Sequence, residues 1–424
     1  MFKYIKGVLG DKSIRDKILF VLFILAITRL LAIIPIPSLS GVDIAEYVAN
    51  NKFLGLLNIF AGGGIASLSI VMLGVQPYIT SSIVMQLLAV LVPSLKKMKE
   101  EEGEIGRRKF TQWTRYLLVP FAILQSYGLL VLFTKQKLIE AMSTEQMLIN
   151  IFIVTIGSLL MMWLGERINE HGIGNGVSLI ILGGIVAGLP NHIQAIFATG
   201  TLVSQASLYI ALLVMFVIVL ISIVAITEAE RPLPVTYAKQ SRGYTTGQLS
   251  ESYIPIRLTT AGVIPIIFAV SLLSIPSILS GLVEGGNTSS LVNIVINSIA
   301  VVFNNPTLYA IIYFALVFVF TFFYTFVTFD PIRTSENIQK GGAFISGVRP
   351  GDDTVEYIST ILIRVTIIGA IFLGLVAVLP IILSNLTGLS TITVGGTSLL
   401  ITVSVIMDLI KKIDAQMTMS EYNN

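Results

Sequence analysis

At 424 residues, 54% hydrophobic and only 12% charged, with a mean hydropathy of +0.87, the chain departs far from soluble globular composition, in which about a quarter of residues are charged. A polytopic membrane protein is the class that remains. The formal charge of +3 carries little information, because the placement of lysine and arginine orients membrane proteins more than their sum does, and the absence of cysteine excludes disulfides and thiolate chemistry.

Residues 1–17 interleave Phe2, Tyr4, Ile5, Val8 and Leu9 with five basic residues, a composition that predicts an amphipathic helix lying on a membrane surface. Ten apolar runs follow, over 18–34, 69–91, 116–133, 148–164, 177–189, 208–226, 260–279, 308–327, 361–383 and 393–407, each near bilayer length except the short fifth. Continuous runs of this kind predict helices, because barrel strands alternate over about ten residues. The first run ends in Ile34-Pro35-Ile36-Pro37 without a small-residue cleavage pattern, so it reads as a retained span. Its Arg29 is the one deep charge, and either a functional counter-ion or a packed residue satisfied by carbonyls fits that position.

Residues 54–93 are mostly apolar and roughly twice as long as one spanning helix requires, and Gly62-Gly63-Gly64 interrupts them. The economical reading is a short helix around Leu56–Ser67 that enters the membrane region without crossing it, then a full span from Ser69 to about Leu91. Irregular backbone survives at membrane depth only where protein or a water-filled cavity surrounds it, so this segment points to a path through the protein.

With the N-terminus and every second loop placed on one side, 23 of the 27 lysines and arginines fall on that side, and the opposite loops hold only Lys52, Lys135 and Lys137. Both termini are therefore expected in the cytoplasm. One missed span would invert every later loop, so the charge pattern also supports ten.

Chemistry is sparse. No Asp or Glu lies inside the ten runs; Glu166, Asp330 and Asp408 sit at their ends, where charge is readily hydrated. His171 and His192 fall in loops without metal-ligand spacing. Gly172-Ile173-Gly174-Asn175-Gly176 follows a membrane helix, not a strand, and reads as a tight turn; Gly184 and Gly188 have the spacing of close helix contact. A secondary transporter, a class that also uses inverted repeats and broken helices, would need a titratable midplane group, and an intramembrane hydrolase would need a nucleophile facing a base. Neither group is evident, and no nucleotide-binding motif is present.

Six stretches carry a resemblance: IFAGGGIASLSIVMLGVQPYITSSIVMQLL (59–88), EIGRRKFTQWTRY (104–116), WLGERINEHGIGNGVSLIILGGIVAGLP (163–190), AGVIPIIFA (261–269), GAFISGVRPG (342–351) and GGTSLLITVSVIMD (395–408). In this order, over essentially the whole chain, they resemble the SecY family of protein-conducting channel subunits. The resemblance implies an all-α polytopic fold, with spans one to five in 18–192 and six to ten in 193–410 as inverted halves around an hourglass pore, and with 411–424 as a tail. It implies a plug formed by Leu56, Leu57, Asn58, Ile59, Phe60, Ala61, Gly62, Gly63, Gly64, Ile65, Ala66 and Ser67. Val75, Ile79, Ile181, Ile185, Ile267 and Ile401 match the family's pore ring, where apolar walls dewet and resist ions.

A lateral gate would place Gln76, Thr80, Ser81, Ser82 and Gln86 of the second span opposite Ser271, Ser274 and Ile275 of the seventh, with weak hydrogen bonds across the seam. The implied role is to pass unfolded preproteins bearing signal sequences and to release hydrophobic segments into the lipid bilayer, without catalysis or cofactor. The implied partners are SecE, SecG, the SecA ATPase and a translating ribosome, docking on loops 228–258 and 329–360. Arg349 matches a family arginine important for SecA-driven movement, and Arg107 and Arg108 match a further motif. Lys239, Arg242 and Arg257 would suit ribosomal RNA contact by phosphate attraction, although Gln240-Ser241-Arg242-Gly243-Tyr244 holds fewer charges than many family members carry there.

Overall fold

The computed structural model describes residues 11–198, 206–237, 251–283, 305–387 and 391–423, apart from single positions 40, 43, 51, 101 and 261. Helix α1 (Lys12–Ile33) starts at Asp11, whose carboxylate accepts from the Ser13 N–H at 2.9 Å. Residues 12–17 are thus the first turns of the opening span, continuous with it, and the rest of the expected surface helix, 1–10, lies outside the described residues. Two short helices follow, α2 (Ala45–Asn50) and α3 (Lys52–Phe60). Residues 61–75 then run in turns until α4 (Gln76–Leu91) begins, with Pro77 in its first turn. The helix of the second span therefore starts seven residues later than Ser69, and the short helix before it ends at Phe60, not Ser67.

Helix α5 (Pro93–Glu100) turns away from α4 by 112°, and α6 (Gly103–Lys135) returns through the bundle. A capping box starts α7 (Thr144–His171): Ser143 Oγ accepts from the Gln146 N–H, and Gln146 Oε1 from the Ser143 N–H. The fifth run, which looks short in sequence, becomes a 23-residue helix, α8 (Gly176–Ala198), that carries through Pro190. Helix α9 (Ala206–Glu228) leads into the antiparallel strands β1 (Glu230–Tyr237) and β2 (Glu251–Arg257), paired from Glu230↔Arg257 to Thr236↔Glu251. The seventh and eighth apolar runs follow as α10 (Ile264–Val283) and α11 (Pro306–Thr328). After them come α12 (Pro331–Lys340), β3 (Ala343–Phe344), α13 (Asp352–Thr387) and α14 (Thr391–Asn423). Asn305 and Asp330 cap α11 and α12 ahead of a proline in each first turn.

Every one of the ten predicted runs has a helix within it. By length and apolarity alone, α6, α7, α13 and the Pro306–Lys340 segment that contains α11 suffice to cross a bilayer, while α4 and α5 do so only as a bent pair. Large apolar side chains such as Leu22, Phe23, Phe152, Ile218, Ile368 and Leu375 face outward, as a lipid-solvated surface requires. Helix α4 packs on α6 and α10, α8 on α14, and α11 between α10 and α13, so α1–α8 meet α9–α14 along α4, α6 and α10 on one flank and α8 and α14 on another.

The sheet, in order β2-β1-β3, was not anticipated; loops 228–258 and 329–360 read only as basic connections. Leu233, Val235 and Ile256 alternate onto one face and pack with Ala343, Ile345 and the α13 residues Ile358, Ile361, Leu362 and Val365. At 36 residues α13 is about 54 Å long, well beyond a hydrocarbon core of about 30 Å, so a single helix joins this small domain to the membrane bundle.

Candidate functional site

The site is built where the chain leaves α3. Gly63 N–H donates to the Asn58 carbonyl at 2.7 Å and Gly62 N–H to the Ile59 carbonyl at 3.0 Å, with Gly62 at φ +68°. This is a Schellman termination, and its left-handed position favours glycine at residue 62. Asn58 also accepts from the Ile65 and Ala66 N–H groups through Oδ1 at 3.1 and 3.0 Å, which folds the glycine triplet back over the helix end. The stretch beyond is clasped to the end of α1: Ile36 N–H donates to Leu68 O, Ile70 N–H to Ile34 O, and Ser67 Oγ to Ala32 O at 2.8 Å. Residues 61–75 thus find main-chain and side-chain partners within the protein, the condition for irregular backbone at membrane depth.

Of the expected plug residues, Ile59 and Phe60 join the main apolar cluster, whereas Leu57, Ala61 and Ile65 belong to a second one with Ile36, Leu39, Val48, Leu129 and Phe133. The segment is therefore wedged between two cores. Helix α3 packs against α8, α10 and α14, the elements that carry most of the expected ring.

Val75, Ile79, Ile181, Ile185, Ile267 and Ile401 all lie in that main cluster, each no more than 6% exposed, together with Ile59 and Phe60. They come from the turn before α4 and from α4, α8, α10 and α14, so residues up to 326 positions apart in sequence converge. Among the described residues no group of His, Cys, Asp or Glu could hold a metal ion.

At the α4–α10 seam, Gln76, Thr80, Ser81 and Ser271 are buried, and Ser82 and Gln86 are partly so. The side chains of Ser274 and Ile275 lie outside the described set. Thr80 Oγ1 donates to Gln76 O and Ser81 Oγ to Tyr78 O, while Gln86 Nε2 donates to Ser82 Oγ at 3.1 Å. These three bonds run along α4. Gln125 of α6, which sequence reasoning passed over, donates to Thr80 Oγ1 at 3.2 Å and ties α4 to the helix behind it. A buried glutamine in an apolar run was the available signal.

On the basic-loop side, Arg107, Arg108, Arg257 and Arg349 are exposed. Arg108 pairs with Glu104 at 2.7 Å on the α6 surface, a solvated pair of small energetic weight. Thr354 Oγ1 donates to the Arg349 carbonyl at 2.8 Å, which fixes the turn and leaves the guanidinium outward. Lys239 and Arg242 fall outside the described residues.

The SecY family model matches residues 69–410. The chain belongs to the SecY family. Curated relatives agree along the full length: a protein translocase subunit SecY of Guillardia theta is 37% identical over 97% of this chain and 96% of its own. Its counterpart SecY 1 of Lactobacillus kefiranofaciens is 38% identical over 100% and 99%. Among solved structures, a SecY channel described for a plug domain that maintains the membrane seal is 18% identical, with a TM-score of 0.63 over 93% of this chain and 90% of that one. Canine Sec61 in a ribosome–channel complex is 17% identical, with a TM-score of 0.58 over 93% and 90%. At these identities the two structures establish the shared fold. The family is one of protein translocase subunits, and nothing found supports the transporter reading.

Proposed function

We propose that this SecY-family chain is the pore-forming subunit of a protein-conducting channel in the cytoplasmic membrane, with both termini in the cytoplasm. Unfolded secretory polypeptides pass outward through the ring formed by Val75, Ile79, Ile181, Ile185, Ile267 and Ile401. Hydrophobic segments leave sideways between α4 and α10. The observation that carries this reading is the convergence of those six buried aliphatic side chains with Ile59 and Phe60 of the short helix α3. An apolar constriction without charge or specific donor resists ions by dewetting, and its aliphatic side chains adapt to whatever sequence traverses it.

Residues 52–67, from α3 through the glycine turn, act as the plug beneath this ring. SecE and SecG complete the channel, and SecA or a translating ribosome drives it from the basic side, where the β2-β1-β3 sheet packs on α13 and Arg349 is exposed. The canine relative's ribosome complex supports the ribosome as partner. The chain itself contributes no catalytic group.

Reconstitution of the chain with its small subunits, SecA and ATP, tests the reading. An unfolded precursor becomes protected from added protease inside the vesicles only when ATP is present. Protection no greater than in the ATP-free control, with SecA verified as active, overturns it.

A further inference from the structure

We infer that Arg29 is the positioning residue that holds the plug segment shut, by a charge-assisted bond to the Gly62 carbonyl made possible by the bare surface of Gly184. The inference rests on the plug reading above. Arg29 Nη1 of α1 donates to Gly62 O at 2.6 Å, across 33 residues of sequence. Gly62 is the left-handed residue that ends α3, so the guanidinium sits at the negative end of the short helix that the plug carries. The carbonyls of Asn58 and Ile59 are already taken by the Schellman bonds, which leaves Gly62 O free to receive the cation.

Three elements meet here with no room to spare. A Cβ added at Gly62 would lie 2.6 Å from Arg29 Nη2, and one added at Gly184 of α8 would lie 2.5 Å from Gly62 Cα and 3.4 Å from the same nitrogen. Gly184 adjoins Ile185, a ring residue, so the contact lies beside the constriction and breaks if the plug leaves it.

The same geometry makes the contact releasable. Arg29 Nε and Nη2 have no hydrogen-bond partner among the described residues, so a single bond ties the guanidinium to the plug segment. Water entering an opened pore would hydrate the guanidinium and offset the loss of the Gly62 bond. With an apolar residue at position 29 the segment would keep only its packing and the bonds that clasp it to α1.

The test measures ion conductance of vesicles containing the resting channel complex, with a plug deletion (residues 57–66 removed) as reference. Arg29→Leu raises the resting open probability about tenfold, the scale of one charge-assisted hydrogen bond. Arg29→Lys stays close to the parent, because an ammonium also serves one carbonyl. Gly184→Ala leaves the guanidinium intact yet displaces Gly62, and it leaks as well. If Arg29→Leu does not assemble, Gly184→Ala and Arg29→Lys decide.

If the deletion leaks while Arg29→Leu and Gly184→Ala match the parent, the latch is refuted and the plug reading stands. Equal leak from Arg29→Leu and Arg29→Lys also refutes it, since a packing role alone would not distinguish a retained cation. If the deletion itself does not leak, the plug reading fails and the latch falls with it.

Discussion

Ile79 and Ile185 stand on two different helices, α4 and α8, yet both are buried in one apolar cluster. Glycine at both positions removes their branched side chains from the constriction and leaves a gap that water can wet. We expect several-fold higher ion conductance through resting channels, with a packing loss of about 2–5 kcal/mol per site, so complex yield is measured beside conductance. Conductance equal to the parent in resting and in opened channels would remove these residues from the ring. At this scale the motifs pick out six aliphatic positions, and the structure buries all six in one apolar core. Partnerships are not legible in this way. Arg29 left two alternatives open, and in the structure its Nη1 meets one carbonyl, Gly62 O, at 2.6 Å. Gln125 found its partner only once α4 and α6 had packed.

The elements divide by their physics. Apolar runs of bilayer length announce themselves, and every one holds a helix. Where a helix stops is a local question, and apolarity misleads there: residues 69–75 are as apolar as a span but form turns, fastened to 34–36 by backbone bonds that no composition reveals. The sheet escaped for a different reason. β1 and β2 carry Pro232, Pro234 and Pro255, which remove ladder donors and argue against strands, yet Leu233, Val235 and Ile256 keep the two-residue alternation, and α13 supplies the cover that buries them. Leu362 is fully buried under that sheet. Leu362→Ala should therefore loosen the domain by about 2–5 kcal/mol while leaving the ring untouched. The expected result is faster proteolysis between β3 and α13, with weaker SecA-driven translocation and unchanged resting conductance. A leak as large as that of the Ile79 and Ile185 variants would show that α13 couples the sheet to the seal more tightly than this.

At the scale of the whole molecule, α1–α8 touch α9–α14 along α4, α6 and α10 and along α8 and α14, and the proposed sideways exit requires one flank to part while the other stays joined. The proposed sideways exit places the opening on the α4 flank. The hydrogen bonds from Thr80, Ser81 and Gln86 to Gln76 O, Tyr78 O and Ser82 Oγ stay within α4, so separating α4 from α10 leaves those three intact. Because the chain has no cysteine, Thr80→Cys and Ser271→Cys, on buried faces of these neighbouring helices, introduce the only thiols of this subunit. A short bis-maleimide linking them should arrest translocation of a secretory precursor and trap a hydrophobic segment before it reaches lipid. A long flexible linker of the same chemistry should restore transport, because the unmodified pore wall is present in both cases and only the permitted separation differs. Transport at the unlinked rate under the short linker would mean that the flanks need not part, and the sideways route would then have to lie elsewhere on the bundle.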